Sequence, residues 1–159
     1  MRNLTRFASF IAPMLVISCA GQSTAQIAAD VANLAGGIAA AAQTLRDGGM
    51  LPASQQTAVD DAVSALQAAA TAVAKATTTT AQQSATQQVV TAANAVLAAL
   101  ANVKSMPQNV TTVLTAAQVL LPTIEALAGL PVSAAMGATS MTPDEASTIL
   151  SSAAATLHQ

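Results

Sequence analysis

The sequence predicts an all-α fold, an antiparallel helical bundle of four main helices plus a short C-terminal helix around an Ala-rich core. Three observations lead there. Hydrophobic residues make up 53% of the 159 residues, with Ala dominant. The β-branched residues recur at helical rather than alternating spacing, which favours helix over strand. Four segments carry an apolar repeat of three to four residues, each placing its large side chains on one stripe of a helix.

The first repeat is Ile27, Val31, Leu34, Ile38, Ala41 and Leu45. The run Asp47-Gly48-Gly49-Met50-Leu51-Pro52 ends it, with glycine for the cap and proline beyond. Gly36-Gly37 lies inside this helix and not after a strand, so it reads as a local bend or a close approach, not a phosphate loop. Ser54 is the expected N-cap of the second helix, whose repeat is Val59, Val63, Leu66, Ala70 and Val73. Asp60-Asp61 is expected to be a solvated pair near the N-terminal helix dipole.

Four consecutive threonines, Thr77 to Thr80, form helix poorly and separate the second repeat from the third. Thr80 and Gln83 have the spacing of a capping box for the third helix. Its repeat is Val89, Ala93, Val96, Leu100 and Val103. Ser105-Met106-Pro107-Gln108 then leads to the fourth, with Val110, Val113, Ala117, Leu120, Ile124 and Leu127. This repeat continues through Pro122, so a kink is expected there and not an end. Val90, Leu97, Leu114 and Leu121 widen the third and fourth stripes, so these two helices are expected to form the heaviest part of the core. Thr142-Pro143-Asp144-Glu145 starts a short last helix, with a Thr cap, proline at the first position and acids in the first turn. It is expected to run to about Leu157, with Ile149, Leu150, Ala153 and Leu157 on one side.

The N-terminus is organised differently. Arg2 and Arg6 precede an uncharged apolar stretch over 7–17, followed by Val16-Ile17-Ser18-Cys19. That stretch has the length of a secretory h-region, too short for a stable span. Cys19 is the single cysteine of the chain. This segment resembles the signal peptide and lipobox of bacterial lipoprotein precursors, with Val16 where leucine is commonest. The resemblance implies diacylglycerol transfer to the Cys19 thiol and cleavage after Ser18. It implies a signal peptide over 1–18, a tether over 19–25 and a bundle domain over 26–159. Ala20, in place of the aspartate that retains such proteins in the inner membrane, implies an outer-membrane lipoprotein facing the periplasm or cell surface. The alternative is a soluble periplasmic or secreted protein, since Ser18-Cys19-Ala20 and Ser23-Thr24-Ala25 also offer general cleavage sites.

Composition removes whole classes of function. Both Phe residues lie in the signal, and Trp and Tyr are absent, so stacking platforms and cation–π cages are excluded. Beyond residue 18, Arg46, Lys75 and Lys104 stand against seven carboxylates, a net charge of −4. A mildly acidic chain with scattered cations is a poor partner for nucleic acid. His158 is the single histidine and sits beside the C-terminus, so no zinc set or activated nucleophile is expected. Catalytic, cofactor and metal residues are expected to be absent, and the chain is not expected to be an enzyme.

One stretch suggests a partner. No charge occurs from Ala76 to Val103, and Lys104 alone interrupts the run before Glu125. The outward positions there include Thr91, Asn94, Thr111, Thr115 and Gln118. This uncharged face of the third and fourth helices is a candidate surface for a homo-oligomer or a protein partner. The expected role is therefore structural or interactive, in the cell envelope, with a membrane contact through the lipid anchor. The alternative is a membrane-active or pore-forming helical protein of a lysis or toxin kind, with Val110 to Val132 as its best span.

Overall fold

The computed structural model describes residues 20–132 and 141–156, and these form five α-helices: α1 (Ala20–Asp47), α2 (Ala53–Lys75), α3 (Thr79–Leu100), α4 (Gln108–Leu127) and α5 (Pro143–Thr156). Cys19, the h-region, Leu157 and His158 lie outside the described residues. The helices alternate in direction. Gln82 near the start of α3 donates to the Thr24 carbonyl near the start of α1 at 3.3 Å, so α1 and α3 begin at one end. Gln83 donates to the Ala128 carbonyl at 3.0 Å, which brings the end of α4 to that same end. α5 starts there too and runs alongside α1, from Asn33 opposite Ser147 to Gly37 opposite Leu150.

The predicted seams are the core. Every residue of the first and third repeats is buried, and so are Val59, Leu66 and Val73 of the second. Val110, Val113, Ala117, Leu120 and Ile124 of the fourth are buried too. Large aliphatic side chains such as Leu34, Ile38, Leu66 and Leu100 are fully enclosed. Each contributes about 1.5–3 kcal/mol through removal from water. α4 runs unbroken past Pro122 to Leu127.

The centre of mass of the core differs from expectation. α3 and α4 touch only lightly, and α1 is the central helix, packed against α2, α4 and α5 and reaching α3. The reason is local sequence. Between Leu34 and Ala42 every α1 residue is buried except the half-buried Gly36. Seven of those nine are Gly or Ala, so α1 offers backbone to its neighbours on every side. Gly36 and Gly37 mark a close approach: α5 crosses here, with the Leu150 Cα 3.1 Å from where a Gly37 Cβ would stand.

Helix ends follow the chain's chemistry, with four corrections. α1 ends in a paired motif: the Gly49 N–H donates to the Arg46 carbonyl and the Met50 N–H to the Leu45 carbonyl, both at 2.9 Å. Gly49 takes φ +64°, the left-handed conformation that this turn needs. The expected caps of α2 and α3 move. Pro52, not Ser54, precedes α2, without a side-chain cap. Thr78, not Thr80, caps α3 by accepting from the Ala81 N–H at 3.2 Å, since the helix starts two residues earlier than the box would require. Asp60 and Asp61 consequently lie beyond the first turn of α2, and Asp60 is paired with Arg46 across the α1–α2 turn. Residues 20–25 of the expected 19–25 tether belong to α1. The α5 start matches the sequence reading: the Thr142 N–H donates to Glu145 at 2.8 Å and the Glu145 N–H donates to the Thr142 hydroxyl at 3.3 Å.

Candidate functional site

The uncharged positions of α3 and α4 differ in exposure and surroundings. Thr91 and Asn94 of α3 and Thr111 and Gln118 of α4 are exposed, and Thr115 is half-buried. Thr91 lies on the wall of a groove whose other wall is α2. The threonine hydroxyls are also less available than their exposure suggests. Thr91 donates to the Gln87 carbonyl and Thr115 to the Thr111 carbonyl, both at 2.9 Å. Thr111 and Thr112 donate to the carbonyls four residues back, at 3.2 and 2.9 Å. Each has spent its one proton inside its own helix, leaving acceptor lone pairs and a methyl group facing outward.

The α2–α3 groove is an open trough of about 730 Å³, lined by Ala62, Ala65 and Ala69 on one side and by Ser84, Gln88 and Ala92 on the other. Past Ser84 and Gln88 it continues into a second hollow of about 530 Å³ that Ala72, Lys75 and Ala81 help to line. Rows of alanine bring α2 and α3 together over their full length. The same alanines leave a shallow channel, because no large side chain rises from its floor. Lys75 is its one charged lining residue. The walls are alanine with serine, glutamine and threonine between, so the groove is an apolar channel with a polar, almost uncharged rim. Sequence reasoning overlooked this channel. The signal was there in Ala65, Ala68 and Ala72, which fall off the apolar stripe and are exposed.

A second cleft, of about 300 Å³, lies where α1, α4 and α5 meet, with Asp30, Asp144, Ser147 and Thr123 in its walls. The Asn33 side-chain amide donates to the Ser147 hydroxyl at 3.0 Å, and that hydroxyl donates to Asp30 at 3.4 Å. Burial pushes the Asp30 carboxyl above the usual aspartate value, against the lowering by the Ser147 hydrogen bond, and the nearby Asp144 charge pushes the same way as burial. Asp30 and Ser147 stand 117 positions apart, and no spacing rule links positions so distant. Among the described residues no group of three His, Cys, Asp or Glu side chains could hold a metal ion. The serine here has an amide and a carboxylate for neighbours.

The end of the bundle where α1 begins is tied by the two glutamines already described. Gln82 is buried with its bond to the Thr24 carbonyl. Glu125 is buried at the same end, one turn before the Ala128 carbonyl that receives Gln83. These contacts hold the start of α1, around Thr24, beside the start of α3 and the end of α4. Compared with known proteins, the chain matches no family, no curated protein and no solved structure.

Proposed function

We propose that this chain is an exported, lipid-anchored helical-bundle protein with a structural or interaction role in the cell envelope. The observation that carries the reading is the segment Val16-Ile17-Ser18-Cys19 behind an uncharged h-region and two arginines. A single cysteine in an exported chain has no disulfide partner within that chain, and acylation of its thiol accounts for it. Several acyl chains at about 0.8 kcal/mol per buried methylene hold such a protein stably to a bilayer, where one chain would be marginal. Ala20 after the cysteine favours the outer membrane. The α2–α3 channel and the uncharged outward positions of α3 and α4 support an interaction role over a catalytic one.

Mass spectrometry of the mature N-terminus tests the anchor. A chain beginning at acylated Cys19 is expected. A chain beginning at Gly21 or Gln26 without acyl mass would replace it with the soluble periplasmic or secreted reading. Thiol crosslinking from Thr91→Cys and Thr115→Cys in cells tests the interaction role, with a dimer or partner adduct expected from at least one position.

The second reading, a membrane-active or pore-forming protein, has one observation in its favour. The segments Thr24–Asp47 and Gln108–Leu127 are long and apolar enough to cross a membrane. They bury 56% and 50% of those windows inside the bundle, as core helices of a water-soluble fold do. Carbonate extraction separates the two readings: the Cys19→Ala protein should be released under lipid anchoring and should stay integral under membrane insertion.

A further inference from the structure

The anchor reading and the fold together constrain how the bundle meets the membrane. The chain is already helical at Ala20, the residue peptide-bonded to Cys19, so little slack separates the thiol from the folded body. Seven extended residues would allow a stand-off of about 23–25 Å. Here one Cα–Cα step of about 3.8 Å separates the modified residue from the helix. The level of that step is also fixed. Thr24 stands beside Gln82 through its carbonyl, and α1 and α3 run in the same direction. Four residues before each, at about 1.5 Å of rise per residue, Ala20 comes level with Thr78 in the α2–α3 turn.

The surface at that level suits a lipid headgroup layer. Thr77 to Thr80 are exposed and uncharged. Gln83 holds the end of α4 beside α3, and the chain leaves it through Leu130, Pro131 and Val132. Val132 is 55% exposed, the most exposed large apolar side chain among the described residues. Besides the buried Glu125, the charged groups nearest this end are Lys75 at the close of α2 and Asp144 and Glu145 in the first turn of α5. The opposite end, by contrast, carries Arg46 and Asp47 beside the α1–α2 turn and Lys104 between α3 and α4.

We propose that the end of the bundle bearing Thr77–Thr80 and Leu130–Val132 rests on the bilayer in a fixed orientation, with the turns at Met50 and Asn102 held away from it. The proposal rests on acylation of Cys19. With that thiol capped, an introduced cysteine is the one free thiol in the full-length protein and can carry a fluorophore. The protein is reconstituted into phosphatidylcholine vesicles containing headgroup spin-labelled lipid, and quenching is read at Thr77→Cys, Val132→Cys, Met50→Cys and Asn102→Cys. All four positions are exposed, so the labels do not disturb the core. The 28 residues of α1 span about 42 Å, so labels at Thr77→Cys and Val132→Cys should be quenched about threefold or more strongly than the other two. Equal quenching at all four, or stronger quenching at Met50→Cys and Asn102→Cys, on protein whose acyl mass is present would overturn the orientation and leave the anchor standing. Protein without acyl mass would overturn both.

Discussion

The Cβ of Ala154 occupies the space a side chain at Gly36 would need: a Cβ built there would lie 2.6 Å from it. One turn away the same arrangement repeats between Gly37 and Leu150. Alanine at either glycine gains about 1 kcal/mol of helix propensity. Against that, the Ala154 Cβ cannot rotate away, and at Gly37 the obstacle includes the Leu150 Cα at 3.1 Å. The two helices would have to separate, at a cost of about 1–3 kcal/mol. Gly36→Ala and Gly37→Ala are each expected to lower the urea midpoint of the full-length protein. An unchanged or raised midpoint for both would mean that α5 is not seated on α1 as described.

Acid should act on the fold through two carboxylates of opposite sign. The Thr142 N–H and hydroxyl hold the Glu145 carboxyl below its ordinary value. Its contribution is therefore present above the unfolded value and is lost as pH falls through the lower folded one. Asp30 is shifted upward by burial, so its charge opposes folding at neutral pH and that opposition is relieved as pH falls through its raised folded value. Asp30→Asn keeps an oxygen for Ser147 and removes the charge. It is expected to raise the melting temperature at neutral pH, with the difference from wild type shrinking toward about pH 3–4. Glu145→Gln should show the reverse: below wild type at neutral pH and converging with it in acid. Parallel melting curves for all three proteins across that range would count against both assignments.

Removing the α5 cap tests how much this short helix depends on its start. Thr142→Ala loses the acceptor for the Glu145 N–H and the hydroxyl donor to the Glu145 carboxylate. Such caps contribute about 1 kcal/mol. A short helix begins with a costly nucleus, so fraying is expected to be local. Amide exchange should therefore rise in α5, and in the part of α1 around Gly36 that it covers, before it rises in α2 and α3. A uniform increase over all five helices would show that α5 unfolds only with the whole bundle.

The sequence made the stripes legible and the arrangement of the stripes much less so. Val89, Val96 and Leu100 announce a buried face by spacing alone, whatever covers it. Which helix stands in the middle depends on backbone access, and the run Ala35-Gly36-Gly37-Ile38-Ala39-Ala40 carries that information as small size instead of periodicity. Large residues on α3 and α4 suggested that these two form the heaviest part of the core, yet a central helix of small residues lets both pack inward. The caps slipped by two residues because Thr78 and Thr80 are equivalent by type, and only the extended backbone at Thr78 distinguishes them. The uncharged face was legible as composition. That its threonines bond their own helices, and that Thr91 turns toward α2, follows from geometry the spacing does not encode. The Asp30–Asn33–Ser147 chain is likewise a product of α5 lying on α1.

The last prediction concerns Thr86, which is fully buried in α3 and whose hydroxyl finds no partner. A desolvated hydroxyl without a hydrogen bond costs about 1–3 kcal/mol. Thr86 lies one turn beyond Gln82, whose side-chain amide donates to the Thr24 carbonyl of α1. Thr86→Val keeps the branched shape and removes the hydroxyl, and it is expected to stabilise the bundle by about 1 kcal/mol. Thr86→Ser keeps the hydroxyl and deletes a buried methyl, and it should destabilise by about 1 kcal/mol. Denaturation of the two variants beside wild type separates packing from polarity at this site. A destabilised Val variant together with a neutral Ser variant would show that the hydroxyl does bond in solution, and the polar contacts at the start of α1 would then extend one turn deeper into the core than Gln82.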